Sequence, residues 1–196
     1  MEGPIVEDLV RFLFELGQLK RVARSGWWMA GIRDPESVAD HSFRCAWIGY
    51  LLARRAAQHG GGVDPARVTL MCLLNDLHES RINDLHKVGQ TYLPYGEAET
   101  RAFRDLASGF PEGRELTELH LEFQRGETLE AQLAKDADRL ECAFQAREYE
   151  AAGCAACREW FVNTSNALKT TVAQDLFAAL ERADPDEWWR ALHRAP

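Results

Sequence analysis

Apolar residues recur along this chain at intervals of three and four. Residues 6–19 place Val6, Leu9, Val10, Leu13, Phe14 and Leu16 at helical spacing and predict an amphipathic first helix. Residues 35–59 predict a long helix, with Pro35 tolerated at its start and Val38, His41, Cys45, Ile48 and Leu52 on the core-facing stripe. Residues 128–151 predict another, with Leu129, Leu133, Ala137, Leu140, Phe144 and Ala151 in line and Gly153 as a stop. Shorter helices are expected over 98–107 and 115–123, ended by Gly109, Pro111 and Gly126, and more over 155–193. Residues 19–35, 60–62, 80–87 and 92–96 read as loops, rich in Gly, Pro and polar side chains. There is no useful period-two alternation and no internal repeat. The expected fold is all-α: one compact helical domain over 1–196, its core about 5–152, with C-terminal helices 155–193 packed on it.

One stretch breaks the pattern. Asp64-Pro65 offers an N-cap and a first-turn proline to a helix that is nearly all apolar over 68–74. It then runs into Asn75, Asp76, His78 and Glu79. A helix apolar on all sides is buried, and burying an unpaired Asp costs several kcal/mol. A cation is therefore expected at Asp76. His41 lies on one apolar stripe, and Asp138 lies beside another with Glu141 one turn on. Each has a plain structural explanation alone, since a single His on such a stripe is more often a hydrogen-bonded core residue. Together with Asn75-Asp76 they supply imidazole and carboxylate ligands for a divalent cation: Mn, Co, Mg, Zn, Fe or Ni. Such an ion polarises a phosphoryl oxygen and lowers the pKa of bound water, which points to phosphate-ester hydrolysis. Asp76 and Glu79, three apart, are expected on one helix face, and Asp84 is free to point back as an acid or base. A solvated charge cluster is the alternative for Glu79 and Asp84.

The formal charge of −8 argues against a polynucleotide partner. No apolar run reaches the roughly 18 residues of a membrane span, and the first residues do not read as a signal peptide. Five Cys, an odd number, fit a reducing compartment, so a cytoplasmic protein is expected. Cys154-x-x-Cys157 reads as a thiol pair, because a structural zinc needs four ligands. Trp188-Trp189 reads as packing of the last helix onto the core, and His59, His120 and His193 have no constellation around them.

These residues resemble a known family. His41, Asn75-Asp76 and Asp138 in this order on helices are similar to the H…HD…D signature of the HD-domain phosphohydrolases. Arg24-Ser25-Gly26-Trp27 with Asp34-Pro35-Glu36-Ser37-Val38-Ala39-Asp40-His41 resembles the "RTGW…NPESVSDH" opening of the 5′-deoxynucleotidase branch. Asp76-Leu77-His78-Glu79 followed by Asp84 is similar to its "HDxxExxxxD" segment, Lys135 to Asp138 to its "KxxD", and Glu148-Tyr149-Glu150 to its "EYE". The resemblance covers about residues 5–152. It implies an all-helical, usually dimeric enzyme that removes phosphate from deoxyribonucleoside 5′-monophosphates with one divalent metal. By matching position, His41, Asn75, Asp76 and Asp138 form the metal set, and Glu79 orients or activates the attacking water. Asp84 assists proton transfer to the leaving oxygen, Arg24 holds the phosphate, and Trp27 packs near the nucleoside.

One departure stands out: the motif has His where this chain has Asn75. An amide oxygen is a weaker ligand for transition metals than imidazole but acceptable to Mg or Ca. Three outcomes are open: a harder metal bound through Asn75, weak binding with water filling the gap, or substitution by His78. An engineered His→Asn change would read the same way. Two other functions remain in view. One is an HD phosphohydrolase acting on another nucleotide or phosphoester, although only Arg33 and Lys87 add positive charge near Arg24. The other is an impaired HD protein that binds a nucleotide, which Asn75 favours and the retention of Glu79, Asp84 and Arg24 opposes.

Overall fold

Two side-chain caps start two of the three helices that carry the core. Asp64 accepts from the Ala66 N–H at 2.9 Å and opens α4 (Pro65–Leu74), while Thr128 Oγ1 accepts from the Ala131 N–H at 3.2 Å and opens α9 (Leu129–Ala151). The computed structural model describes residues 3–58, 60 and 62–192, with side chains from residue 6 on. His59 and His193 lie outside the described residues. In chain order the elements are α1 (Gly3–Leu16), a 3₁₀ turn (Gly17–Lys20), α2 (Gly26–Met29), α3 (Val38–Gln58) and α4. Next come α5 (Glu79–Ile82), α6 (Lys87–Gln90), α7 (Tyr95–Ala107), α8 (Gly113–Arg125) and α9. A 3₁₀ turn (Ala155–Cys157), α10 (Arg158–Ser165), α11 (Thr171–Leu180) and α12 (Glu187–Leu192) complete the described chain. Among the described residues the only β-type pairing is an isolated bridge between Ala23 and Ser37. The expected all-α class is what the chain adopts.

The centre is α3 packed on both α4 and α9. Val38, Cys45 and Leu52 of α3 meet Val68, Met71 and Cys72 of α4 and Leu133, Ala137 and Leu140 of α9, all buried. Gly49 permits the approach, because a Cβ there would stand 2.5 Å from Cys72 Sγ and 3.6 Å from Ala137 Cβ. The C-terminal segment is tied down by Asp136 of α9. Fully buried, Asp136 accepts from the Lys169 and Thr170 N–H groups and from Thr170 Oγ1, just ahead of α11.

Several local expectations change. The helix through 68–74 stops at Leu74 instead of carrying Asp76 and Glu79, and Leu73 faces solvent. In α1, Phe14 and Leu13 are exposed, while Phe12 and Leu16 face the core and Phe12 meets the Phe110 ring at 4.8 Å. Trp188 and Trp189 do not pack on the core, since α12 buries no residue. The Trp189 indole instead donates to Asp186 within its own segment.

The stretch read as a loop between residues 19 and 35 is pinned to the core. Leu19, Val22 and Trp27 are buried, Val38 N–H donates to Val22 O at 2.9 Å, and Arg24 N–H donates to Glu36 O at 3.0 Å. Glu36 is gripped from two sides, donating its N–H to Tyr149 Oη at 2.9 Å and accepting from Trp27 Nε1 at 3.0 Å. Burial, and then the nearby Glu141, push the Glu36 carboxyl from 4.5 up to about 7. The folded state thus favours the protonated acid. Its contribution is fully present below the unfolded value of 4.5 and is lost as pH rises through about 7. Glu36→Gln keeps the acceptor for Trp27 and removes the charge. It should stabilise the protein by on the order of 3 kcal/mol above pH 7 and leave it unchanged below pH 4.5, as read by urea denaturation at both pH values. Equal gains at both would show that ionisation of Glu36 is not the cause.

Candidate functional site

The site is assembled from the first turn of α3, the middle of α9 and the turn that follows α4. His41 on α3 is 1% exposed, and its Nε2 lies 3.0 Å from Asp138 Oδ1 and 3.4 Å from Asp76 Oδ2. Its Nδ1 makes a short bond to Glu141 Oε2, and Glu141 Oε1 accepts from Arg44 Nε at 2.9 Å. Helical spacing explains this grip, because Asp138 and Glu141 sit one turn apart on α9 and reach opposite nitrogens of one ring. Burial and Arg24 pull the His41 imidazole down, but Glu141 and Asp138 outweigh them and hold it well above its ordinary value. Were a cation held at Nε2, Glu141 would keep Nδ1 as the donor.

Asp76 is reached differently from the expected helix face. Beyond Leu74 the chain descends through tight turns, with Leu77 N–H on Leu74 O at 3.3 Å, Glu79 N–H on Asp76 O at 3.0 Å and Ser80 N–H on Leu77 O at 3.1 Å. Asp76 and Glu79 are 7% and 5% exposed. Burial, and then Asp76 and Asp84, hold the Glu79 carboxyl well above the usual carboxylate range, and its Oε2 has no protein partner. Asn83, with φ 62°, reverses the chain after α5 so that Asp84 returns to the site and accepts from Ser25 Oγ at 3.0 Å. The cation expected beside Asp76 is present in protein form: Arg24 Nη1 lies 3.1 Å from Asp76 Oδ2 and 3.2 Å from Asp84 Oδ2.

Asn75 caps α4 and donates from Nδ2 to Asp138 Oδ1 at 3.4 Å; half a turn about its last torsion presents the amide oxygen instead. His78 joins a different group. Its Nε2 is 3.2 Å from Tyr95 Oη and its ring lies 6.0 Å from that of His120. His120, to which the sequence assigned nothing, therefore does have a constellation around it. Ligand atoms of His41, Asp76 and Asp138 all lie within 4.8 Å of one another, a set that could hold a metal ion. One imidazole and two carboxylates suit a divalent cation.

Asp76 and Asp138 floor a cleft of about 410 Å³, lined also by Arg24, Trp27, Asn75, Glu79, Asp84 and Lys87, while the buried His41 lies behind them. That volume is in the range of small-molecule sites. Trp27 is almost buried, with its indole N–H spent on Glu36, and it stands 5.7 Å from Trp160 and edge-on to Tyr149 at 5.2 Å. Arg33 is exposed and does not line the cleft. Lys135 of the "KxxD" match lies outside it and donates to Gln124 O near the end of α8 at 3.0 Å. Tyr95, Cys142 and Trp160 also line the cleft and carried no signal in the sequence pattern. Trp160 comes from beyond α9, and Tyr95 from a stretch that reads as a loop.

Comparison with known proteins agrees with this geometry. The HD domain family model matches residues 16–181. A protein of Dictyostelium discoideum named 5′-deoxynucleotidase HDDC2 is 31% identical over 150 residues, covering 74% of this chain and 79% of the relative. The Homo sapiens protein of the same name is 31% identical over 153 residues, covering 76% and 71%. A solved structure, described as a conserved hypothetical protein from Pyrococcus furiosus, has a TM-score of 0.81 and 35% identity, covering 89% of this chain and 99% of its own. Fold, motif order and relatives agree, and the chain belongs to the HD-domain family.

Proposed function

We propose that this protein is a metal-dependent phosphomonoesterase that removes the 5′-phosphate from deoxyribonucleoside monophosphates. The observation that carries the reading is the meeting of Asp76 and Asp138, backed by His41, with Glu79, Asp84 and Arg24 at one cleft. The relatives' printed name, 5′-deoxynucleotidase, supports the substrate class. A divalent cation held by His41 Nε2, Asp76 and Asp138 supplies polarisation of a phosphoryl oxygen and a nucleophile at neutral pH. Asn75 extends that set only through its amide oxygen, which favours a harder ion such as Mg or Mn over Zn.

The remaining chemistry belongs to the side chains. Glu79, held high by burial and its acidic neighbours, takes the proton of the attacking water. As the P–O bond breaks, the proton taken by Glu79 is relayed through Asp84 to the leaving 5′-oxygen, so that nucleoside and inorganic phosphate leave. Arg24 exchanges its carboxylate partners for phosphate oxygens, which its planar donors match bidentately. Trp27 and Trp160 wall the nucleoside side of the cleft.

By the same reading the chain works as one domain, its core 5–152 carrying the site, in the cytoplasm and as a homodimer. No helix among the described residues is long and apolar enough to cross a membrane. Phe43, Trp47 and Leu51 form an exposed ladder on α3 beside Leu73 of α4, an apolar face that a second copy would cover. Trp47→Glu should shift the protein from dimer to monomer in sedimentation; an unchanged mass removes this face from the reading.

Phosphate release from a panel of ribo- and deoxyribonucleoside mono-, di- and triphosphates, in Mg, Mn, Co and Zn, tests the activity. The expected result is release from deoxynucleoside monophosphates, with Asp138→Ala abolishing metal binding at His41 and Asp76. Glu79→Gln should keep the metal while lowering turnover by about 10²-fold or more. Saturable nucleotide binding without release in any metal would overturn the reading.

A further inference from the structure

The proposed reaction leaves one cluster unused. His78 and His120 are 2% and 1% exposed, and Glu99 of α7 reaches toward them. Ligand atoms of the three lie within 4.8 Å of one another. His120, on α8, stacks flat on Phe103 with ring centroids 4.0 Å apart. Neither of its ring nitrogens has a protein hydrogen-bond partner, and neither does His78 Nδ1. The nearest acid oxygen, Glu99 Oε1, is 3.7 Å from His120 Nε2, beyond hydrogen-bond reach.

A packing role does not account for this. Stacking on Phe103 is met equally well by an apolar ring, whereas a neutral imidazole brings a donor and an acceptor. Each left unmatched in the interior destabilises the fold. Nor is the ring an imidazolium hydrogen-bonded to Glu99, whose Oε1 stands 3.7 Å from Nε2. The neutral ring is the form that ligates metals.

The surrounding groups are placed as outer partners of a metal site. Tyr95 Oη engages His78 Nε2 at 3.2 Å and leaves Nδ1 free, and Gln124 Nε2 donates to Glu99 Oε1 at 2.9 Å and fixes the carboxylate. We propose that His78, Glu99 and His120 form a second divalent-metal site, separate from His41, Asp76 and Asp138. Two imidazole nitrogens and one carboxylate make a donor set suited to Zn and neighbouring transition ions, with a fourth position for water. The site joins three segments: the turn after α4, helix α7 and helix α8. That turn also carries Asp76 and Glu79, and His78 and Glu99 line the same cleft, so an ion here braces the catalytic turn.

The test is Zn²⁺ titration of metal-free protein, with bound equivalents counted after dialysis and the Zn²⁺-dependent rise in melting temperature recorded. His120→Phe keeps ring volume and stacking, while Glu99→Gln changes a side chain at the cleft wall and guards against misfolding of the first variant. The parent should bind two equivalents, and each of these variants one, with affinity for the lost ion at least tenfold weaker. Asp138→Asn should retain the ion that His120→Phe loses. Should Asn75 leave the first site too weak to fill, the parent binds one equivalent. Loss of it in His120→Phe with retention in Asp138→Asn then supports this site and counts against the first. Parent-like stoichiometry and affinity in both His120→Phe and Glu99→Gln overturn the proposal.

Discussion

The burial of acidic side chains around a single imidazole is the constraint on which this structure depends. Asp76, Glu79 and Glu141 are nearly or wholly removed from solvent within reach of His41, with Asp84 and Asp138 at the same cleft. So many carboxylates cannot remain ionised together in a protein interior without matching positive charge. Two arginines answer from opposite sides. Arg24 bridges Asp76 and Asp84, and Arg44 reaches Glu141 from α3. The result is a division of labour among acids. His41 carries Asp138 and Glu141 below their ordinary values against the pull of burial, whereas burial keeps Asp76 and Glu79 above theirs. Carboxyl groups pushed apart in this way are suited to different roles in one reaction: some hold a cation and another accepts a proton.

The packing serves that charge cluster. Gly49 lets α3 come close to both α4 and α9, so His41, Asp138 and the turn after Leu74 meet at one end of the bundle. That turn faces two ways. Asn75 and Asp76 address His41 and Asp138, while His78 addresses Tyr95, Glu99 and His120. The departure at Asn75 and the buried His78 therefore lie within one short segment.

Much of this was legible in the sequence, for definite reasons. Helical spacing placed His41 on the inward stripe of α3 and Asp138 beside that of α9, and Asp64-Pro65 marked the start of α4. A buried Asp76 called for a cation, and Arg24 supplies one. What escaped depends on contacts or on local backbone choices that no periodicity encodes. The change from helix to tight turns after Leu74, and the positive φ of Asn83, decide how Glu79 and Asp84 reach the site. His120 looked isolated because its partners come from other helices. Trp188 and Trp189 looked like core residues, but they follow Asp184-Pro185 on α12, whose described side chains are all exposed.

The most direct test of the account is diffraction from crystals of Glu79→Gln soaked with Mn²⁺ and a deoxynucleoside 5′-monophosphate, with anomalous scattering used to locate the metal. The account predicts a Mn²⁺ peak bounded by His41 Nε2, Asp76 and Asp138, with Arg24 drawn from Asp76 onto the phosphate. A site without a metal peak, with Arg24 still bridging Asp76 and Asp84, would contradict it.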